Sequence, residues 1–311
     1  MTDWQITLID RLDSSGNLNR LAEIGAAKNP RVRFVYHDLR AAMNDQLVAQ
    51  VGYHDYIVHM AAGTHVDRSI EAPMEFVLDN VVGTCNILDF ARKVGCEKLL
   101  YFSTDEVFGP APPGVRYKED DRYNSGNPYA ATKAGAEELV VSYANTYRIP
   151  AVITHTMNVI GERQHPEKFL PMTIAKVLAG QKVTIHADAT KTISGSRFYI
   201  HASEVARAIT LLLGHDTPRG RKYNIVGAEE TSNLDLAQMV AGSLGKVLRF
   251  EMTDFHSSRP GHDLRYALDG RRMEDELFFY PEPIQQSVDR IVEWTQKNPK
   301  WMVSQYRGEA A

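Results

Sequence analysis

Three consecutive polar residues, Thr104, Asp105 and Glu106, follow an apolar run at residues 99–102. Such a run is typical of a buried parallel strand, and ligands in open α/β sheets bind beyond the carboxyl ends of such strands. Two adjacent carboxyl groups suit acid and base chemistry when their environments separate their pKa values. The structural alternative is an acid pair at the start of a helix, where the dipole stabilises negative charge. Residue types and position together favour a reactive site.

A tyrosine and a lysine four positions apart, Tyr129 and Lys133, form a second candidate pair. The Asn-Pro pair at 127 and 128 is typical of a turn, and the residues after it predict a helix that runs to about Tyr147. Residues four apart share one helix face, so we expect the ammonium to lower the pKa of the phenol from about 10 towards neutrality. That change makes a general base. The spacing also arises by chance, but its position after the acid pair favours catalysis.

Together the two motifs resemble the extended short-chain dehydrogenase/reductase family, and the Thr-Asp-Glu triplet resembles its dTDP-glucose 4,6-dehydratase branch. The resemblance covers nearly the whole chain. It implies an α/β fold, with a Rossmann-like doubly wound parallel sheet in an NAD-binding domain at residues 1–160. A smaller α/β lobe for the sugar nucleotide follows at 161–311, with some segments returning to the first domain. The resemblance also implies NAD as cofactor, a nucleotide-sugar substrate and a homodimer formed through long helices.

The composition agrees with such an enzyme and argues against several other classes of protein. A chain of 311 residues with 43% hydrophobic residues has enough material for a main domain and a smaller lobe. A net charge of -4 gives no electrostatic argument for a nucleic-acid partner. No apolar stretch approaches the ~20 residues of a membrane helix, and the first residues show no signal-peptide pattern. Cys85 and Cys96 match no metal spacing, so we expect unpaired buried thiols, no metal and a cytoplasmic location.

Short strand patterns at the start of the chain predict the cofactor site. Residues 5–10 end in Asp10, and an acid at this place accepts hydrogen bonds from a ribose and repels the phosphate of NADP, which favours NAD. A strand at 56–60 ends in Ala61 and Ala62, whose small size permits close approach of the cofactor. By resemblance, Asp38 and Leu39 follow the strand whose acid contacts the adenine, and Tyr129 and Lys133 also contact the cofactor.

The resemblance further implies an element that we do not find in the sequence. Family members begin with a strand and a glycine-rich turn that holds the pyrophosphate at a helix N-terminus, and no such pattern precedes Gln5. Gly16 and Gly25 come after the acid, whereas the glycine turn comes roughly 20 residues before it. We therefore expect the first strand to be missing, through truncation or a misplaced start, and NAD binding by this polypeptide to be weak.

Candidate substrate residues follow from the resemblance as well. His65 lies in a His-Val-Asp-Arg-Ser segment that resembles the dehydratase loop, and Asn158 marks the point where the chain leaves the cofactor domain. Arg197 and Arg259 match positions from which arginines bind the diphosphate, a task that suits a planar bidentate donor. Asn233 matches a neighbouring contact. Arg259 carries the more specific signal, because it begins an Arg-Pro-Gly-His-Asp segment typical of the dehydratases.

The implied reaction divides the work among five residues. Tyr129, assisted by Lys133, takes the proton of the sugar 4-hydroxyl while hydride passes from carbon 4 to NAD. Glu106 then removes the acidified proton of carbon 5, Asp105 protonates the departing 6-hydroxyl, and hydride returns to carbon 6. Thr104 holds the 4-oxygen. Two alternatives remain open: another family activity, epimerisation or decarboxylation, and a non-catalytic Rossmann-like protein that binds a sugar nucleotide or a partner.

Overall fold

The computed structural model describes residues 3–13, 16–255 and 263–302. Its strands are β1 Ile6–Asp10, β2 Val32–Tyr36, β3 Tyr56–His59, β4 Lys98–Thr104, β5 Ala151–Thr156, β6 Val159–Ile160, β7 Val183–Ala187, β8 Ser196–Arg197, β9 Ile200–His201, β10 Arg221–Ile225, β11 Thr231–Ser232 and β12 Phe250–Asp254. Its helices are α1 Asn19–Glu23, α2 Asp45–Val51, α3 Val66–Glu71, α4 Pro73–Phe76, α5 Gly83–Val94, α6 Pro128–Thr146, α7 Phe169–Leu178, α8 Ala202–Gly214, α9 Asn233–Ser243, α10 Arg271–Leu277 and α11 Ile284–Lys297.

The main sheet contains four parallel strands in the order β10-β5-β4-β3. All seven residues of β4 are buried, as its continuous apolar run predicts, and its last residue, Thr104, pairs with Thr156 at the end of β5. Helices α5 and α6 pack on one face of the sheet, and α8 and α10 pack on the other. The predicted Rossmann-like α/β fold is confirmed.

Strands β1 and β2 form a separate parallel pair, in the register Ile6↔Val32 to Asp10↔Tyr36. Within the described ranges, neither strand forms ladder hydrogen bonds with β3. A cavity of about 500 Å³ lies between the pair and the main sheet, and the whole of β3 lines it together with residues 7–10 of β1. At its base Thr7 Oγ1 and His54 Nε2 are 2.9 Å apart, so side chains rather than backbone join the two sheets here.

The helices that carry the site differ in part from the sequence prediction. Apolar residues recur with helical spacing from Met74 to Lys93, but a π-helical turn at Val77–Val82 separates α4 from α5. Helix α6 begins after Asn127, whose side chain accepts from Ala130 N at 2.8 Å, and this N-cap fixes the start of the helix. Its end at Thr146 agrees with the prediction.

The C-terminal part of the chain contributes to two cores. Helices α7, α9 and α11 pack around β7, whereas β10 pairs with β5 in the main sheet. The segment before α8 contains two short strands, β8 and β9, which pair with β11 and β6. Cys85 and Cys96 are unpaired, and they are half-buried rather than buried. Among the described residues, no helix has the length and apolar character to span a membrane.

Candidate active site

The end of β4 places three of the predicted site residues in one tight turn. The Thr104 hydroxyl accepts from Glu106 N at 3.3 Å and donates to Asp105 Oδ1 at 3.0 Å, while residues 105–108 form a single 3-10 turn. Gly109 ends that turn with a φ of 74°, and a Cβ there would lie 2.3 Å from the Asn124 carbonyl oxygen. Only glycine fits both the backbone conformation and the close approach, so Gly109 helps to fix both acids.

Burial controls the charge of the two acids. It raises the pKa of Asp105 to about 6, although the Arg197 charge and the Thr104 hydroxyl oppose the rise. Burial, and then the Asp105 charge, raises the pKa of Glu106 to about 7, although a 3.0 Å hydrogen bond from Asn127 Nδ2 opposes it. Two interacting carboxyl groups with such pKa values share close to one proton near neutral pH. The pair can therefore supply one acid and one base.

Tyr129 and Lys133 lie in the first turns of α6, and both are buried. Tyr129 N donates to Ser69 Oγ at 3.1 Å, which ties the start of α6 to α3. The Lys133 ammonium donates to the Phe102 carbonyl oxygen and lies 4.4 Å from the centroid of the Tyr101 ring. Burial lowers the pKa of Lys133 to about 7. The structure thus brings Tyr129 and Lys133 to the carboxyl end of β4.

The expectation that Lys133 lowers the pKa of Tyr129 is wrong for this structure. Burial and then the Glu106 charge raise the pKa of Tyr129 above its ordinary value, although a hydrogen bond with Thr104 opposes the rise. Lys133 is itself partly deprotonated near neutral pH, and its Nζ donates to the Phe102 carbonyl oxygen of β4. Helical spacing predicted the shared face correctly, but it contains no information about how deeply the pair is buried.

Several supporting residues were not assigned a role from sequence. Asn127 was expected only as a turn residue, yet it both caps α6 and donates to Glu106. Asn80, in the π-helical turn, donates to Thr132 Oγ1 at 2.9 Å and accepts from Gly63 N at 2.8 Å. It therefore links the loop after β3 to α6. The Asn-Pro start of α6 was the available signal for Asn127, whereas the Asn80 contacts depend on the tertiary fold.

Five of the seven predicted cofactor residues line one cavity of about 230 Å³ at the carboxyl ends of β1 and β3, whereas Tyr129 and Lys133 do not line it. Its lining includes Asp10, Asp38, Leu39, Ala61 and Ala62. The two carboxylates present acceptors of the kind that ribose hydroxyls bind, and the two alanines leave room for close approach. This donor and acceptor set fits the adenosine side of a dinucleotide.

An ion-pair network at that cavity was missed from sequence. Arg11 Nη1 lies 2.5 Å from Asp79 Oδ1, and Arg40 Nε lies 2.7 Å from the same oxygen. Burial opposes ionisation of Asp79, but hydrogen bonds from Arg40 and Arg11 lower its pKa. Both arginines are therefore held by Asp79. The partners lie 39 and 68 positions apart in the chain, so no local pattern predicts the network.

The predicted substrate residues lie in several parts of the fold rather than around one cavity. His65 precedes α3, Asn158 is exposed after β5, and Asn233 Oδ1 accepts from the Tyr199 hydroxyl at 2.5 Å. Arg197 lies near the acid pair, where its charge acts on Asp105, but its terminal nitrogens donate to the carbonyl oxygens of residues 196, 263 and 264. Arg259 lies outside the described residues.

Similarity to known proteins points to the same family as the motifs. The chain matches the model of the GDP-mannose 4,6 dehydratase family over residues 2–291. It is 36% identical over 299 residues to a dTDP-glucose 4,6-dehydratase of Streptomyces niveus, covering 96% of this chain and 85% of that protein. A dTDP-glucose 4,6-dehydratase of Escherichia coli is 31% identical over 343 residues, covering 99% of this chain and 92% of that protein.

Solved structures extend the similarity to the fold. A dTDP-glucose 4,6-dehydratase of Streptomyces venezuelae, crystallised with NAD, aligns with a TM-score of 0.85 at 33% identity, covering 97% of this chain and 90% of that one. A UDP-glucuronic acid 4-epimerase of Bacillus cereus aligns with a TM-score of 0.84 at 22% identity, covering 94% and 91%, which shows a shared fold alone. The chain belongs to the GDP-mannose 4,6 dehydratase family, within the extended short-chain dehydrogenases/reductases.

Proposed function

We propose that this protein is a sugar-nucleotide 4,6-dehydratase that converts dTDP-glucose to dTDP-4-keto-6-deoxyglucose. The observation that carries the proposal is the pair of the buried Asp105 and the half-buried Glu106 beside Tyr129, with pKa values near neutrality. An epimerase that only oxidises and reduces carbon 4 needs no acid and base for an elimination. The relatives named as dTDP-glucose 4,6-dehydratases support the choice of nucleotide and sugar.

The first step belongs to Tyr129, which takes the proton of the sugar 4-hydroxyl. Asp10, Asp38, Leu39, Ala61 and Ala62 would hold NAD, which would supply hydride acceptor and donor chemistry between carbon 4 and carbon 6. The proton that Glu106 takes from carbon 5 returns to carbon 5 when carbon 6 is reduced. Burial holds the pKa of Tyr129 above its ordinary value, so the phenol must lose its proton before it acts as the base. Lys133, one turn along α6, is the proposed partner of Tyr129 in this step, although it does not lower the pKa of the phenol in this structure. Thr104 holds the oxygen of carbon 4 through the same hydroxyl that bonds the Tyr129 phenol.

The acid pair, Asp105 and Glu106, carries out the elimination. Glu106 removes the proton of carbon 5, and Asp105 gives a proton to the departing 6-hydroxyl. Glu106 has the higher pKa of the two acids, so the shared proton resides mainly on it. The proposal therefore requires that this proton moves to Asp105 when substrate binds. Asn127 assists that transfer, because its amide donates to Glu106 and stabilises the carboxylate form.

Further parts of the proposal concern binding and assembly. Residues 1–160 form the cofactor domain, and residues 161–311 mainly bind the sugar nucleotide. The substrate contacts are His65, Asn158, Arg197, Asn233 and Arg259, with the arginines on the diphosphate. The protein is a cytoplasmic homodimer that packs through α5 and α6, the two long helices on one face of the sheet. Light scattering of the purified protein tests the dimer.

Product analysis tests the proposed function. Because we expect NAD binding by this polypeptide to be weak, the purified protein is incubated with NAD in large excess and dTDP-glucose and, in parallel, with UDP-glucose or GDP-mannose. We expect dTDP-glucose to yield a product lighter by one water, without net consumption of NAD. A product of unchanged mass that differs at carbon 4 would instead assign the protein to the epimerases, and conversion of another nucleotide sugar alone would change the substrate.

A further inference from the structure

Residues 16–21 form a wall of the two cavities at the predicted cofactor site, and apolar packing does not hold this wall. Gly16 lines both the cavity of about 230 Å³ and the cavity of about 500 Å³, while Leu18 and Leu21 line the larger one. None of residues 16–24 is buried. Helix α1 contributes no side chain to the hydrophobic cores of the described residues. Contacts of another kind must therefore fix the wall.

Glu23, the last residue of α1, contacts side chains from the C-terminal part of the chain. Its Oε2 accepts from Arg163 Nε at 2.6 Å, and its Oε1 accepts from Trp301 Nε1 at 3.1 Å. Lys300 Nζ lies 3.4 Å from the same Oε1. Arg163 and Trp301 are 140 and 278 positions away from Glu23 in the chain. Both oxygens of one carboxylate thus hold α1 against the C-terminal part.

Two tryptophans support the cations around Glu23. The Arg163 guanidinium lies 4.8 Å from the ring centroid of Trp294, and the Arg20 guanidinium lies 5.9 Å from that of Trp301. Arg20 Nε also donates to the Arg163 carbonyl oxygen at 3.3 Å. The side chains of Glu23 and Arg163 are only 22% and 25% exposed. A single exposed ion pair adds little stability, but a partly buried network with charge-assisted hydrogen bonds holds its members in place.

The Glu23 carboxylate is shared by Arg163 and Lys300, so its removal has two effects. The two cations would face the same space without the carboxylate between them, and like charges repel. The Trp301 N–H would also lose its 3.1 Å bond to Glu23. Because α1 contains no buried residue, apolar contacts cannot compensate for these losses. We therefore expect α1 to separate from the C-terminal part more often when Glu23 is replaced.

We propose that Glu23 is a positioning residue for the cofactor: it fastens α1, and with it the wall of the cofactor site, to Arg163 and Trp301. This inference rests on the proposed function, because the two cavities matter as the site of NAD. Glu23 lines neither cavity and does not touch the reacting atoms. It acts through α1, which connects it to the lining residue Leu21. Its loss should therefore weaken the binding of NAD and leave the binding of the substrate nucleotide unchanged.

Hydrogen exchange followed by mass spectrometry measures the fastening of α1 in the protein without ligand. The amides of Leu21 and Ala22 both donate to the Leu18 carbonyl oxygen, at 3.0 Å each. In Glu23→Ala we expect these amides to exchange about tenfold faster, because the segment opens more often, and we expect the amides of β4 to be unaffected. Lys28→Ala, which changes an exposed charged residue in the next turn of the chain, is the matched control. Unchanged exchange of α1 in Glu23→Ala would overturn the proposal.

Titrations with NAD up to millimolar concentration, and separately with dTDP, test the effect on the site. Glu23→Ala should raise the dissociation constant for NAD about tenfold and leave that for dTDP unchanged. Glu23→Gln should raise it less, because the amide oxygen still accepts a hydrogen bond. Trp301→Phe, which keeps an aromatic ring and removes the N–H donor, should also raise it less than Glu23→Ala. Equal NAD affinity in wild type and Glu23→Ala, or an equal loss of dTDP affinity, would contradict the proposal.

A charge exchange separates the ion pair from general damage to the fold. Glu23→Arg and Arg163→Glu each bring like charges together, whereas the double variant restores opposite charges in the reverse order. We expect the double variant to bind NAD more tightly than either single variant, and a double variant that binds no better than either would count against the proposal. If the wild type binds no NAD, the proposed function fails and this inference fails with it. If the wild type binds NAD and Glu23→Ala binds it equally, only this inference fails.

Discussion

Replacing Glu106 by Gln should stabilise the fold at alkaline pH and leave it unchanged at acidic pH. The unfolded chain loses the Glu106 proton near pH 4.5, whereas the folded protein keeps it until about pH 7. A carboxyl group with a raised pKa costs stability, and that cost grows as the pH rises through this interval and persists above it. At about 1.36 kcal/mol per pH unit, the full cost is about 3 kcal/mol. Because solvent reaches part of the side chain, we expect about 1–3 kcal/mol of stabilisation.

Urea denaturation of wild type and Glu106→Gln at pH 4 and pH 9 measures this effect. The amide is close in shape to the carboxyl group, and its oxygen still accepts from Asn127 Nδ2. Glu138→Gln serves as the control, because that side chain is exposed and its loss should not change the pH dependence. Equal stability changes for Glu106→Gln at both pH values would refute the reasoning, since they would mean that ionisation of Glu106 carries no cost in the folded protein.

Three further predictions concern the site. Tyr129→Phe should abolish NADH formation after substrate is added, whereas Glu106→Gln should still form enzyme-bound NADH. If both variants lose the NADH absorbance equally, Glu106 is not the base that acts on carbon 5. Gly109→Ala should cost at least about 2 kcal/mol in a urea titration, because it adds a clash to an unfavourable φ, and Gly114→Ala, with a φ of 77° and no atom near its Cβ, should cost less. Asp79→Asn should remove one of the ion pairs of each arginine at the adenosine cavity, while Arg11 keeps Asp13 and Arg40 keeps Glu75. We expect the affinity for NADP relative to NAD to rise by up to about tenfold in a cofactor titration, and an unchanged ratio would show that the remaining ion pairs hold the arginines.

The local sequence pattern was sufficient to predict the elements that position the site. The apolar run of β4 predicted a fully buried strand, and the Asn-Pro pair predicted the start of α6. These features depend on residues close together in the chain, where strand composition and capping act directly. The placement of Thr104, Asp105 and Glu106 at the end of β4 followed from them.

Properties that depend on tertiary packing were not predictable in the same way. Spacing put Tyr129 and Lys133 on one face, but burial reversed the expected pKa of the phenol. The π-helical turn that presents Asn80 leaves no signal in the apolar periodicity, because a single wide turn keeps the flanking residues helical. The buried contacts of His155 with Asn224 and Glu137 join segments that are distant in the chain, so no local pattern predicts them.

The central claim is that hydride moves from carbon 4 to carbon 6 of one sugar while Asp105 and Glu106 remove water between the two transfers. The most direct measurement uses dTDP-glucose carrying deuterium at carbon 4, with the product analysed by NMR and mass spectrometry. We predict a 4-keto-6-deoxy sugar that retains the deuterium at carbon 6. Deuterium found at carbon 4 of an epimer, or a product that keeps its 6-hydroxyl, would contradict the account.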